Sequence, residues 1–434
     1  MYLKELKLRN FRCFETLDIN FHKQLTVLVG SNGSGKTAVM EGASIALGTL
    51  FVPMDGISGR RIDKTDAHLK SFLLGSVKDV QPQYPVEVEA TGIIGEKQGV
   101  WKRCLYGQNK NTTIKDAKFL TDISSSYQER LRNGDPTLIL PIIAYYGTNR
   151  LWDYHREKRT DTFDVSTRTN GYIDCLDGAA NIKLMMNWFK KMTIQKYQRQ
   201  ETNRGSIPEL DTVYHAMEKC FSLITGYENV KIQYNLDTNT LDLYYSDSNG
   251  LWMQIPVNQL SDGYKGTISL VADIAYRMAV LNPQLLDQVL IETDGIVLID
   301  EIDLHLHPAW QQRVIDDLVS IFPKVQFIVS THAPAVINSV KSENLIILKD
   351  NMAYTTNNEV YGKDVKSILN EIMGVRERPL KVAALFDLFY EQLQSKKYDE
   401  ASHTLDEIDN IRNYHDPEVA GCRVKLKLER MRNN

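Results

Sequence analysis

Gly30-Ser31-Asn32-Gly33-Ser34-Gly35-Lys36-Thr37 is the stretch on which the reading of this chain turns. It follows Leu25 to Val29, an apolar run with the aliphatic and β-branched content of a buried strand. Ala38 to Leu47 then read as a helix. Strand, glycine-rich loop and helix, with four residues between Gly30 and Gly35-Lys36-Thr37, are the context a phosphate-binding P-loop requires. The glycines let the backbone turn so that the N–H groups of Asn32, Gly33, Ser34 and Gly35 point at phosphate oxygens. The helix behind them adds its N-terminal partial positive charge. Lys36 is placed to reach the outer phosphates as a mobile cation, and the Thr37 hydroxyl to ligate Mg²⁺.

Upstream of this loop, Leu6, Leu8, Leu17, Ile19 and Phe21 alternate with polar residues, as antiparallel strands leading into the P-loop strand would. Downstream, 52–64 reads as a surface loop, and 86–106 as a hairpin of a small antiparallel sheet. The apolar run from Leu138 to Tyr146, closed by Gly147-Thr148-Asn149-Arg150, predicts a buried strand that ends at a functional loop; 155–170 is charged, Thr-rich and expected to move. Helices are expected over 115–133, 181–200 and 208–223, and strands over 230–234 and 241–245. From Leu260 to Leu348 helix and buried strand alternate, which implies a parallel sheet. Beyond Lys363 the pattern is helical.

The 434 residues carry a net charge of −4, so any nucleic-acid or membrane contact has to come from a local patch. No apolar run is long enough to span a membrane, and the N-terminus does not read as a signal peptide. Five scattered cysteines show no paired spacing, which argues for a reducing, cytoplasmic setting without a disulfide framework.

Three further motifs carry chemistry. Ile296-Val297-Leu298-Ile299-Asp300-Glu301 is a buried strand ending in two acids, at the edge where α/β proteins bind ligands. Asp300 is placed to hold Mg²⁺ through water, and Glu301 to act as general base toward an attacking water. Leu260-Ser261-Asp262-Gly263-Tyr264 precedes a long helix, read over 267–279. Its hydroxyl and glycine-exposed backbone make a second helix start suited to an anion. Phe327 to Thr331 is another apolar strand, and His332 at its end is placed to sense a γ-phosphate. Asp303, His305 and His307 have alternate spacing that does not make a closed metal site, and are read as a positioning loop at a subunit contact.

The order P-loop, Leu-Ser-x-Gly, apolar run with Asp-Glu, strand with histidine resembles the ATP-binding cassette ATPases. More narrowly, it resembles the branch of SMC, Rad50 and RecF heads and the overcoming-lysogenization-defect nucleases. The opening Leu8-Arg9-Asn10-Phe11-Arg12-Cys13-Phe14 resembles that branch's first strand turn, which implies that Arg12 contacts nucleotide. The resemblance implies an α/β fold: an ABC-type ATPase head with a P-loop mixed sheet, an antiparallel β lobe and a helical lobe, plus a C-terminal helical appendage. It also implies ATP and Mg²⁺ as cofactors. In that branch two heads pair head to tail, so that ATP on Lys36 of one is closed by Ser261 and Gly263 of the other; Asp300 is then the Walker B acid, Glu301 the catalytic base and His332 the switch histidine. The family's glutamine loop has no clear match, and the Tyr145 to Arg150 turn takes its place.

Leu140-Pro141-Ile142-Ile143-Ala144-Tyr145-Tyr146-Gly147, Gly171 to Cys175 and Leu304-His305-Leu306-His307-Pro308-Ala309-Trp310-Gln311 narrow the likeness to the PtuA ATPases of Septu anti-phage defence, also found in retrons. That likeness implies self-assembly, a PtuB-like HNH nuclease partner, and, in a retron, a reverse transcriptase with its RNA or DNA. The expected boundaries are an ATPase domain over 1–350, with its nucleotide lobe at about 1–110 and 260–350 and an insertion at about 111–259, and a helical region over 351–434 for assembly or docking. The alternative is a RecF- or Rad50-like repair ATPase acting directly on DNA. A built-in nuclease is not expected, because only about a hundred residues follow His332 and they show no strand ending in Asp-x-Asp. Two basic stretches, Lys183 to Arg204 and Arg423 to Arg432, are candidate nucleic-acid contacts, although solvated helix faces carry such charges as well.

Overall fold

The P-loop strand sits inside a six-stranded sheet and is buried along its whole length, which is why its five residues alternate no polar face. The computed structural model describes residues 1–148, 167–178, 182–202, 205–246, 250–356, 358–375, 378–412 and 417–433. Fifteen strands are labelled in chain order. The first seven are β1 (Tyr2–Phe11), β2 (Phe14–Asn20), β3 (Leu25–Val29), β4 (Leu69–Leu74), β5 (Val77–Pro82), β6 (Val86–Ile94) and β7 (Lys97–Leu105). Then follow β8 (Ile142–Tyr146), β9 (Lys231–Asn235), β10 (Thr240–Ser246) and β11 (Trp252–Pro256). The last are β12 (Gly295–Ile299), β13 (Val325–Thr331), β14 (Leu345–Lys349) and β15 (Met352–Thr355).

The central sheet has the order β15-β14-β3-β13-β12-β8. Every pair in it is parallel except β14 with β15. Val29 pairs with Thr331, and Ile299 with both Val329 and Tyr146, so the carboxyl ends of β3, β13, β12 and β8 lie along one edge. A second sheet, β2-β1-β6-β7, is antiparallel throughout, as the period-two pattern predicts. The P-loop helix α1 (Lys36–Leu47) packs against this lobe, and the Trp101 indole N–H donates to the Ala46 carbonyl at 2.9 Å.

Beyond the two sheets come α2 (Lys118–Arg132), α3 (Ile182–Glu201), α4 (Pro208–Thr225) and a third small sheet, β9-β10-β11. α5 (Asp262–Leu281) starts five residues earlier than the apolar spacing predicts, with Ser261 as its cap. Its polar first turn carries no apolar periodicity, so the pattern alone misses it. Also not predicted are β11, β15 and the hairpin β4–β5, the last paired only with itself.

The chain divides into two compact units, Met1–Lys363 and Asp364–Asn434. The first takes in β15, which completes the central sheet, so the head runs past residue 350. The second is built of the helices Leu380–Gln394, Tyr398–Arg412 and Pro417–Asn433 around Phe386, Phe389, Leu405 and Ile408. No helix among the described residues is long and apolar enough to cross a membrane.

Candidate nucleotide site

The site forms where the parallel strands end, because each strand hands its last residues to the same edge. β3 runs into the P-loop, where Gly33 and Gly35 take φ of 81° and 98°. Only glycine fits at 35, because a Cβ there would collide with the Phe14 ring and come within 2.8 Å of the Cys13 sulfur. The β1–β2 turn is therefore the wall against which the loop is moulded. Lys36 is folded across the loop, its ammonium donating to the carbonyls of Gly30 and Ser31 at 3.0 and 3.1 Å. Burial pulls its pKa down, and the nearby Asp300, Glu301 and Asp303 push back.

β12 delivers Asp300 to the P-loop. The Thr37 hydroxyl donates to one carboxylate oxygen at 2.7 Å, and the Ser330 hydroxyl donates to the other. Ser330 also accepts the Glu301 N–H at 2.8 Å, so one side chain of β13 fixes both acids of β12. Glu301 itself is in the left-handed region at φ 49°, a conformation that costs a non-glycine residue free energy and is concentrated at functional sites. His332 follows β13, and its N–H donates to Asp303 at 3.3 Å, while the Thr331 hydroxyl donates to the same oxygen at 2.6 Å. Burial, and then the Lys36 charge, hold the His332 imidazole below its ordinary pKa, with the three acids opposing.

These groups suit a nucleotide phosphate with a hard cation. Thr37 and Asp300 bring two oxygen donors together, and the buried Ser34 hydroxyl of the loop has no partner among the described residues. The loop N–H groups of Asn32 to Gly35 with Lys36 would hold phosphate, and Thr37 and Asp300 would hold Mg²⁺. Beside them lies a cleft of about 520 Å³ lined by Thr37, Glu41, Arg60, Tyr145, Thr148 and Asp300 among others.

The Arg12 guanidinium, expected at the nucleotide, donates from Nε to Asp66 at 2.8 Å and pairs through Nη1 with Glu41 of α1, which lines that cleft. Glu41 also pairs with Arg60 at 2.7 Å, and this Arg12–Glu41–Arg60–Asp66 cluster was not read from the sequence. Its signal there is no more than charge in two loops and on one helix. Ser330 was likewise missed as an organiser, although a Ser-Thr pair closing an apolar strand was visible; Asp303, expected in a positioning loop at a subunit contact, binds Thr331 and His332 of its own chain.

Ser261 and Gly263 do not join the P-loop by any hydrogen bond among the described residues. Ser261 is exposed at the start of α5, without a side-chain cap bond. Gly263 is buried, and a Cβ there would come within 2.6 Å of the His305 carbonyl oxygen. His305 sits at φ 63° and His307 caps a short helix, its Nδ1 accepting from the Ala309 N–H at 3.3 Å. No three His, Cys, Asp or Glu side chains among the described residues form a metal-binding group.

Asn149 and Arg150 of the expected glutamine-loop substitute, most of 155–170, and Arg204 lie outside the described residues. In the basic stretches, Lys196 pairs with Asp211, Arg423 with Asp406 and Asp409, and Arg430 with Asp399. Those charges are partly spent inside the fold.

A model of the AAA domain family matches residues 5–222, and a second, described as AAA domain, putative AbiEii toxin, Type IV TA system, matches 254–338. Among curated proteins the chain is 26% identical to the retron Ec83 probable ATPase of Escherichia coli, over 98% of this chain and 86% of that one. It is 25% identical to the Septu protein PtuA of Bacillus thuringiensis, over 94% and 93%. Among solved structures, an SMC head bound to the C-terminal winged-helix domain of ScpA aligns with a TM-score of 0.47 at 16% identity, covering 83% of this chain and 99% of that one.

Proposed function

Since the chain belongs to the AAA-domain family, whose model spans half of it, we propose that it is the ATPase subunit of a Septu- or retron-type anti-phage defence complex, which pairs head to tail around ATP and regulates an HNH nuclease partner. The observation that carries the ATPase reading is the Thr37–Asp300 hydrogen bond, with Glu301 fixed beside it by Ser330. It ties the phosphate loop of one strand to the acid pair of another.

In this reading Lys36 swings from the Gly30 and Ser31 carbonyls onto the phosphates of ATP. Thr37 and Asp300 would hold Mg²⁺, which would supply positive charge to the phosphates. Glu301, oriented from its backbone, accepts a proton from the attacking water, and His332, held neutral, donates a hydrogen bond toward the γ-phosphate. The helix start at Ser261 and Gly263, exposed at Ser261 and Asp262, supplies N–H groups to the γ-phosphate bound on a second copy, which accounts for its lack of ties to its own P-loop. The resemblance to PtuA and the retron ATPases supports the defence assignment and the nuclease partner.

Glu301→Gln keeps both phosphate-binding halves and removes the base. It should retain ATP and accumulate a dimer visible by light scattering; a molecular mass indifferent to ATP counts against pairing. Co-expression with a genomically adjacent HNH protein should yield one complex. Failure to co-purify it counts against the nuclease partner and leaves the ATPase reading standing.

A further inference from the structure

Beneath the nucleotide site lies a buried polar group that the chemistry above does not use. Tyr146, Asp273 and Arg277 are 2%, 1% and 3% exposed. The Tyr146 hydroxyl donates to Asp273 Oδ2 at 2.7 Å, and Arg277 Nε donates to the same oxygen at 2.7 Å. Arg277 Nη1 donates to the carbonyls of Gly171 and Ile173, each at 2.9 Å. Burial, and then the Asp273 carboxylate, push the phenol pKa well up, so it remains a donor. Asp273 Oδ1 has no partner among the described residues, so the cluster bears a cost that an apolar trio of the same volume would avoid.

The cluster's position accounts for that cost. Tyr146 is the last residue of β8, and its own carbonyl accepts the Asp300 N–H at 2.8 Å. The residue that fixes the backbone of the Mg²⁺-side acid thus holds, through its side chain, the helix that begins at Ser261. Arg277 extends the tie to the 168–173 turn. The chain leaving that turn returns to the same edge, with Tyr145 N–H donating to Cys175 O and Gly147 N–H to Gly178 O, both at 2.7 Å.

We propose that Tyr146, Asp273 and Arg277 are positioning residues that set the Asp300 edge and the Ser261 helix start in one chain relative to each other, so that one chain's two contributions to nucleotide chemistry are placed together. This rests on the two-copy reading of the site, in which those contributions serve different ATP molecules. The link is then the path by which one nucleotide affects the other.

The test uses mixed dimers of Lys36→Ala and Ser261→Arg copies, which retain one working site: the P-loop of the Ser261→Arg copy closed by Ser261 of the Lys36→Ala copy. Tyr146→Phe, which removes one hydroxyl, is placed in either copy. In the Ser261→Arg copy it acts on the Asp300 edge of the working site; in the Lys36→Ala copy it reaches that site only through the Ser261 helix. Both placements should lower kcat on the order of tenfold, the worth of one buried charge-assisted hydrogen bond, with the KM for ATP changed less than about twofold. Unchanged kcat with the substitution in the Lys36→Ala copy overturns the proposal. A mixture with no turnover before Tyr146→Phe is added overturns the two-copy reading instead. A measurement that needs no core substitution is hydrogen exchange in the Ser261→Arg protein, where Mg·ATP at the P-loop should slow exchange of amides 262–267 in the same chain. Unaltered exchange there also overturns the link.

Discussion

Two helix starts in this molecule are suited to anions, and they are built in opposite ways. At Lys36 the site is braced within the chain: the loop is pressed against Phe14 and Cys13, Thr37 is bonded to Asp300, and Ser330 holds both acids. At Ser261 the cap hydroxyl is exposed and makes no cap bond, while Gly263 behind it packs close on the His305 carbonyl. The first is preorganised for a ligand by its own chain, whereas the second is open to what lies outside it. The contrast is what the proposed two-copy site would require of a single chain.

The severest challenge to that contrast is Lys36→Ala. Losing the phosphate cation should lower turnover at least about a thousandfold and remove measurable ATP binding in a titration. Retained binding would show that the P-loop half is not the nucleotide site. Next, Ser261→Arg should leave ATP affinity within about threefold of wild type while lowering turnover on the order of a hundredfold, since it blocks only the open half. Mixing it with Lys36→Ala should restore part of the turnover, and a mixture as inactive as its components would erase the distinction between the halves. Ser330→Ala removes the Ser330 bonds to the Glu301 N–H and to Asp300 and should cost about 1–2 kcal/mol of transition-state stabilisation, about tenfold in kcat, with little change in ATP binding. If ATP affinity falls as much as kcat, Ser330 supports the ground state and not the acids' aim.

The smallest effect is the pH profile. The neutral His332 imidazole is favoured in the fold, so its pKa lies below 6.5 and protonation comes only as pH falls past that lowered value. Turnover should hold from pH 8 to about 6.5 and decline below, and His332→Asn should flatten that decline. An acid limb that persists unchanged in His332→Asn assigns it to another group.

What was legible in the sequence follows from how local each signal is. The P-loop, the strand ending in Asp300-Glu301 and the strand before His332 each announce themselves within about ten residues, so their shared edge follows from parallel-sheet rules. The ties in and around the site join residues far apart: Thr37 to Asp300, Tyr146 to Asp273, Arg12 to Asp66. Nothing in local periodicity encodes a hydrogen bond between distant segments. The start of α5 was hidden because its first turn is polar, and β15 because a four-residue edge strand needs no apolar face.

The β4–β5 hairpin escaped notice for a different reason, since none of its residues is buried and Leu73 is 81% exposed. Its two ends are nonetheless already joined: the Gln83 N–H donates to the His68 carbonyl at 2.7 Å, and the Phe11–Ala67 bridge holds the base to the antiparallel lobe. Such a closed base makes the hairpin a detachable module. Residues 69–82 can be cut out and His68 rejoined to Gln83 by a two-residue Asn-Gly turn without opening the β1 edge, and the shortened chain would shed several exposed apolar side chains and become easier to keep in solution.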